Sequence, residues 1–164
     1  MAKRAGAVPL LVVLLALVAG GCGEGGAEEG ATLTVYVSAP LSGAEAEVGR
    51  PICTEARAEA RRSGEPGGFA LRVVCLDAAV PEGRWTLAQV GANARRATED
   101  STTVAYLGEP ERAARRQSLP IVEAASIAEL GERSGEEALA KVAAALEGSD
   151  SNDPRQAVLD AVEG

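Results

Sequence analysis

"TLTVYVSAPLSG", residues 32–43, is the stretch that decides the fold. Leu33, Val35 and Val37 alternate with other residues, and the β-branched content suits a strand. Pro40 and Gly43 break that strand, and a helical pattern follows. A strand that passes through such a loop into a helix is how an open α/β domain begins.

Downstream, the same alternation continues. A helix is predicted from about Arg50 to Ser63, with Ile52, Cys53, Ala56 and Ala60 on its apolar face and Glu55, Arg57, Glu59, Arg61 and Arg62 mostly outside. The turn cluster "GEPGG" (64–68) ends it. "FALRVVCLD" (69–77) reads as a second strand, apolar enough to be covered on both faces as in a parallel sheet. After a loop containing Pro81 and Gly83, a helix from Thr86 to Glu99 places Leu87, Val90, Ala94 and Ala97 on one side. "TVAYLG" (103–108) is a third strand. Residues 111–117 are helix-like, and "SLPIVEAA" gives a separate helical segment near 120–125. Strands separated by helices of this length imply βαβ units with right-handed crossovers. The fold class is therefore α/β, an open parallel sheet with flanking helices.

The tail carries helix-start signals. Ser134 and Glu137 have capping-box spacing, and Leu139, Val142, Ala143 and Leu146 follow as an apolar stripe that Gly148 ends. In "DPRQ" (153–156), Asp153 is the expected N-cap, with Pro154 at the first helical position and Val158 and Val162 on one short apolar side.

Upstream, Lys3 and Arg4 precede an apolar run, Leu10–Val18, and the small residues Ala19, Gly20 and Gly21 lead to Cys22. This reads as a signal peptide, since the run is too short to span a bilayer. "LVAGGC" (17–22) resembles the bacterial lipobox, with Ala19 where leucine is commoner. The resemblance implies cleavage before Cys22 and acylation of its thiol; the alternative is an ordinary secretory signal with a chance cysteine. The expected division is a signal peptide over 1–21, a glycine-rich acidic tether over 22–31 and one folded domain over 32–164. The expected location is the extracytoplasmic face of the cell membrane, held there by lipid on Cys22.

With Lys3 and Arg4 removed from 16 basic residues, 14 remain against 24 acidic ones, a net charge of −10. That balance argues against nucleic acid and against electrostatic attachment to anionic lipid. Cys53 and Cys75 are then an even pair in an exported protein. Cys53 lies on the apolar face of the first helix, and Cys75 on the strand face shared with Leu71 and Val73. A disulfide is expected; two buried thiols are the alternative.

Nothing in the chain supports catalysis. It has no histidine, hence no Ser-His or Cys-His pair, and no catalytic residue, metal-ligand set or cofactor is assigned. There is no P-loop, and "GEPGG" precedes a strand rather than a helix. Asp77, at a strand end, is expected to cap a loop, and Ser42 to cap a helix or touch a ligand.

Taken in order, "PLSG" after the first strand, Asp77 at the end of the second, "NARRATED" closing a helix, "VAYLG" and "LPIVEAA" resemble the N-terminal lobe of a type I periplasmic binding protein. Within that class the set is most similar to the branched-chain amino-acid receptors of ABC transporters. The resemblance covers residues 32–127, and 135–163 are similar to the closing helices of such receptors. It implies two lobes, a hinge, a small-molecule ligand enclosed between them and an ABC permease as partner; most of a second lobe is missing, so the chain resembles an internally shortened receptor. In such sheets the ligand lies beyond the carboxyl ends of the strands. Ser42, Gly43, Asp77 and Arg112 are the candidate ligand-binding residues. The family usually offers small hydroxyl residues after the third strand, whereas "GEPERAA" (108–114) offers Glu109 and Glu111, which would repel a carboxylate, and Arg112 to offset them. Trp85, Tyr36, Tyr106 and Phe69 are expected in core or loop packing rather than at a ligand. The other reading is a surface lipoprotein that binds a second protein surface and no small molecule.

Overall fold

A computed structural model describes residues 30–80, 84–149 and 152–163. Cys22, the signal peptide and most of the tether lie outside the described residues, as do Pro81 and Gly83. The elements are β1 (Thr32–Ala39), α1 (Ala46–Arg62), β2 (Ala70–Asp77), α2 (Leu87–Thr98), β3 (Thr103–Leu107), α3 (Arg112–Glu123), β4 (Ala128–Leu130), α4 (Gly135–Glu147) and α5 (Pro154–Glu163). The strands form one parallel sheet in the order β2-β1-β3-β4. Its hydrogen bonding begins before Thr32: the Gly30 amide donates to Gly68 O, and the Ala31 carbonyl accepts from Ala70 N.

Period-two alternation divides the side chains of β1 between two cores. Leu33, Val35 and Val37 face Ala56 and Ala60 of α1, Leu139, Val142 and Leu146 of α4, and Val158 of α5. On the opposite face Tyr36 and Tyr106 pack with Ala94 and Ala97 of α2 and Val122 of α3. β2 is covered on both faces, by Leu71, Val73 and Cys75 on one side and Val74 and Leu76 on the other. It nevertheless remains half-exposed along its length because it is an edge strand, while β1 is buried almost throughout.

Two helices run differently from their sequence pattern. α1 begins at Ala46, four residues before the expected start, and carries Pro51 inside it. α3 is one helix through Pro120 where two segments were expected. A proline removes one helical N–H and leaves a carbonyl a turn earlier without its donor. Both prolines are exposed, as are Glu47 and Arg116 four residues before them, so water can serve those carbonyls. β4 was not foreseen at all. α3 ends through Ser126 in the left-handed region (φ 54°), with the Ile127 amide donating to Val122 O, and the chain turns straight into a three-residue strand.

Sequence-based caps fall where expected. Ser134 Oγ accepts from Glu137 N, and Asp153 Oδ1 accepts from the Arg155 and Gln156 amides. Cys53 and Cys75 are joined as a disulfide with Cα atoms 6.1 Å apart, which ties α1 to the edge strand.

Candidate ligand shelf at the carboxyl edge of the sheet

In a 2-1-3-4 sheet the strand order reverses between β1 and β3, so helices leave in opposite directions there and a crevice opens beyond the strand ends. The loops that border it are 40–45 after β1 and 108–111 after β3. Both are set by backbone geometry. Gly43 has φ +71°, a region that disfavours side chains, and starts a short 3-10 turn into α1. Gly49 lets α1 lie against the loop, because a Cβ there would come within 2.0 Å of Pro40 O.

Asp77 locks the first loop. Its Oδ1 accepts from Leu41 N at 2.8 Å and Ala79 N at 2.9 Å. Partial burial opposes its ionisation, but hydrogen bonds from the Ser42 hydroxyl and from the Ala79, Leu41 and Ser42 amides outweigh that and hold the carboxyl below its ordinary range. Arg50 Nε adds a bond to Leu41 O at 2.9 Å. Asp77 and Ser42 are thus brought together as loop-fixing groups.

The crevice holds a pocket of about 120 Å³ whose walls are Pro40, Glu45, Val48, Ile52, Trp85, Pro110 and Glu111. Ser42, Gly43 and Asp77 are not among them. Trp85, expected in core or loop packing rather than at a ligand, forms a wall, placed there by an antiparallel bridge to Ala79. Its one-residue bridge leaves no periodic signal by which to place it. Arg112 sits on the far side of Pro110, in a second depression of about 380 Å³ with Arg115, Arg116 and Leu119. The four ligand candidates therefore do not converge on one point.

Glu109 is the other departure. It was expected to face the ligand and repel a carboxylate; instead it is 1% exposed and points into the fold. Ser38 Oγ donates to its Oε1 at 2.7 Å, and Asn93 Nδ2 donates to Ser38 Oγ at 2.8 Å and to Asp77 O at 3.1 Å. Glu109 Oε2 and the Tyr106 hydroxyl are buried with no partner. Burial pushes the Glu109 carboxyl up to about 7 against the Ser38 hydrogen bond, with Glu111 and Glu129 adding to the rise. On β4, Glu129 is also raised by burial; it accepts from Ser118 Oγ at 2.9 Å and lies 3.7 Å from Arg115 Nε. Of the two loop glutamates, Glu111 is the one left at the surface, and in the pocket wall Glu45 joins it in acting on a ligand's charge. No group of three metal-ligating side chains is present among the described residues.

Two solved structures resemble this arrangement. A leucine binding protein from Thermotoga maritima superposes with a TM-score of 0.51 at 21% identity, over 59% of this chain and 26% of that one. The fold is that of part of a type I periplasmic-binding-protein lobe. A substrate-binding periplasmic protein from Ralstonia solanacearum gives a TM-score of 0.51 at 23% identity, over 60% of this chain and 28% of that one. The chain thus matches little more than a quarter of either protein's length. No protein-family model matches the chain, and no curated protein matches it. Among the described residues, no helix of the lobe is long and apolar enough to cross a membrane.

Proposed function

We propose that this protein is a solute-binding-type lipoprotein related to branched-chain amino-acid receptors, shortened relative to them, and held outside the cytoplasmic membrane by lipid on Cys22. The observation that carries the reading is the Trp85-walled pocket at the β1/β3 switch point, where a lobe of this fold presents its ligand. Its apolar floor suits an aliphatic side chain. Such a shelf is open to water on one side. Hydrogen bonds made there replace bonds to water at a net gain of about 1 kcal/mol each. A few of them offset little of the several kcal/mol lost on association.

Binding of leucine, isoleucine or valine by the chain alone is therefore expected to be no tighter than about millimolar Kd, roughly −4 kcal/mol. NMR titration should show saturable shifts at the Trp85 indole and at Val48, abolished in Trp85→Ala. The absence of any saturable shift would remove the solute reading. Shifts that appear only with a second protein, and with no amino acid, would favour the second reading, a surface that docks protein. The anchor is tested separately. The chain should partition with membranes and carry acyl mass, and Cys22→Ser should release it or leave the precursor uncleaved; a wholly soluble, unacylated chain would remove the lipoprotein claim.

A further inference from the structure

We propose that Glu109 is a proton-operated latch beneath the β1/β3 crevice: protonated, it holds the two crevice loops together, and ionised, it releases them.

The geometry puts Glu109 where one proton reaches both loops. It precedes Pro110 and Glu111, which wall the pocket from the β3 side. Its partner Ser38 precedes Ala39 and Pro40, which bring in the wall from the β1 side. Asn93 of α2 bonds Ser38 and the last carbonyl of β2, and Gln89 Nε2 holds Asn93 Oδ1 at 3.1 Å. One buried network thus fastens the carboxyl ends of β1, β2 and β3 to α2.

Every charged or titratable group facing Glu109 is acidic. Glu111 stands on its own loop, Glu129 on β4 and Tyr106 on β3. From β1 and α2 it meets the neutral Ser38, and behind that Asn93. The nearest cation in the cluster, Arg115 of α3, is directed at Glu129. The Asp77 carboxylate is turned to the Leu41 and Ala79 amides. A negative charge on Glu109 would therefore have the Ser38 hydroxyl and its own backbone amide to stabilise it, against deep burial, a second oxygen with no partner and two like-charged neighbours. Such a charge is relieved by letting water in, which requires the 108–111 loop to lift. Neutral Glu109 carries no such pressure. The folded carboxyl's midpoint near 7 puts the change within the ordinary extracytoplasmic range. This latch stands whether the crevice takes a solute or a protein.

Hydrogen exchange on the full chain tests it, after correction for intrinsic base catalysis. Local opening at the amides of residues 108, 109 and 111–113 should rise roughly thirtyfold between about pH 5.5 and about pH 8.5, the ratio set by the closed and open carboxyl midpoints, while 41–45 stay fixed by Asp77. Amides in β1 should not follow. Glu109→Gln, neutral at every pH, should keep both loops closed throughout. Equal opening at the two pH values in the wild type, or the same rise in Glu109→Gln, would overturn the proposal. Should that variant fail to fold, carbon-detected titration of the Glu109 carboxyl in the wild type decides: a midpoint in the ordinary glutamate range overturns the latch, and one near neutrality with loop shifts tracking it supports the latch.

Discussion

At the residue scale, Asp77 and Glu109 are both acids at a strand's carboxyl end, and their surroundings drive them apart. Asp77 accepts several hydrogen bonds and is held ionised; Glu109 accepts fewer, from Ser38 and its own amide, in a far more buried place, and is held neutral below its raised midpoint. Asp77 was legible from sequence, since an acid followed by small residues after a strand caps its own turn. Glu109 was not, because its inward turn depends on Ser38 and Asn93, 71 and 16 residues away in sequence from the groups they serve. Asp77→Ala would strand the Leu41 and Ala79 amides, both partly buried. Its expected cost is about 2 to 3 kcal/mol, since each lost bond was to a charged acceptor. Asp77→Asn keeps one acceptor oxygen and should cost less. Urea unfolding measures both; a loss within experimental error in Asp77→Ala would mean the loop is fixed without it.

At the element scale, legibility followed the strength of the repeating pattern. β1, β2, β3, α2, α4 and α5 have clear periods and marked ends, and their observed bounds lie within a residue or two of those read from the chain. α1 and α3 differ from their sequence reading beside a proline each: the pattern starts α1 near Pro51 and divides α3 near Pro120, whereas both helices run on through the proline, with water free to serve the exposed carbonyl a turn earlier. β4 was missed because three residues give no period and because Ser126, not glycine, makes the left-handed exit from α3. The disulfide was legible from face assignment: Cys53 falls on the buried side of α1, and Cys75 on the β2 side that α1 covers. It closes a loop of 22 residues, for which about 3 kcal/mol is the usual stabilisation. That staple sits on β2, the half-exposed edge strand of the sheet.

For the whole molecule, the opposed carboxyls fix the sign of its pH dependence. Glu109 and Glu129 have folded midpoints raised above the ordinary 4.5, so each contributes stability that is complete below that value and lost as pH rises through the folded midpoint, about 7 for Glu109. Asp77 and Asp100 are lowered from 3.8, so their contribution is present above that value and lost as pH falls. Burial opposes ionisation of Asp100 too, but bonds from Thr102 and Tyr36 and the charge of Arg72 outweigh it. Stability should therefore peak between the two sets, at about pH 4 to 5, and decline toward pH 8. For Glu109 alone, the separation between its folded and ordinary values corresponds to about 3 kcal/mol. Thermal unfolding across this range should show the decline, and Glu109→Gln should remove much of it. The variant should match the wild type in acid and exceed it above neutrality, because an amide carries no charge to bury. A wild type whose stability climbs steadily from about pH 5 to about pH 8 would mean that the lowered aspartates, not the buried glutamates, govern the fold's response to protons.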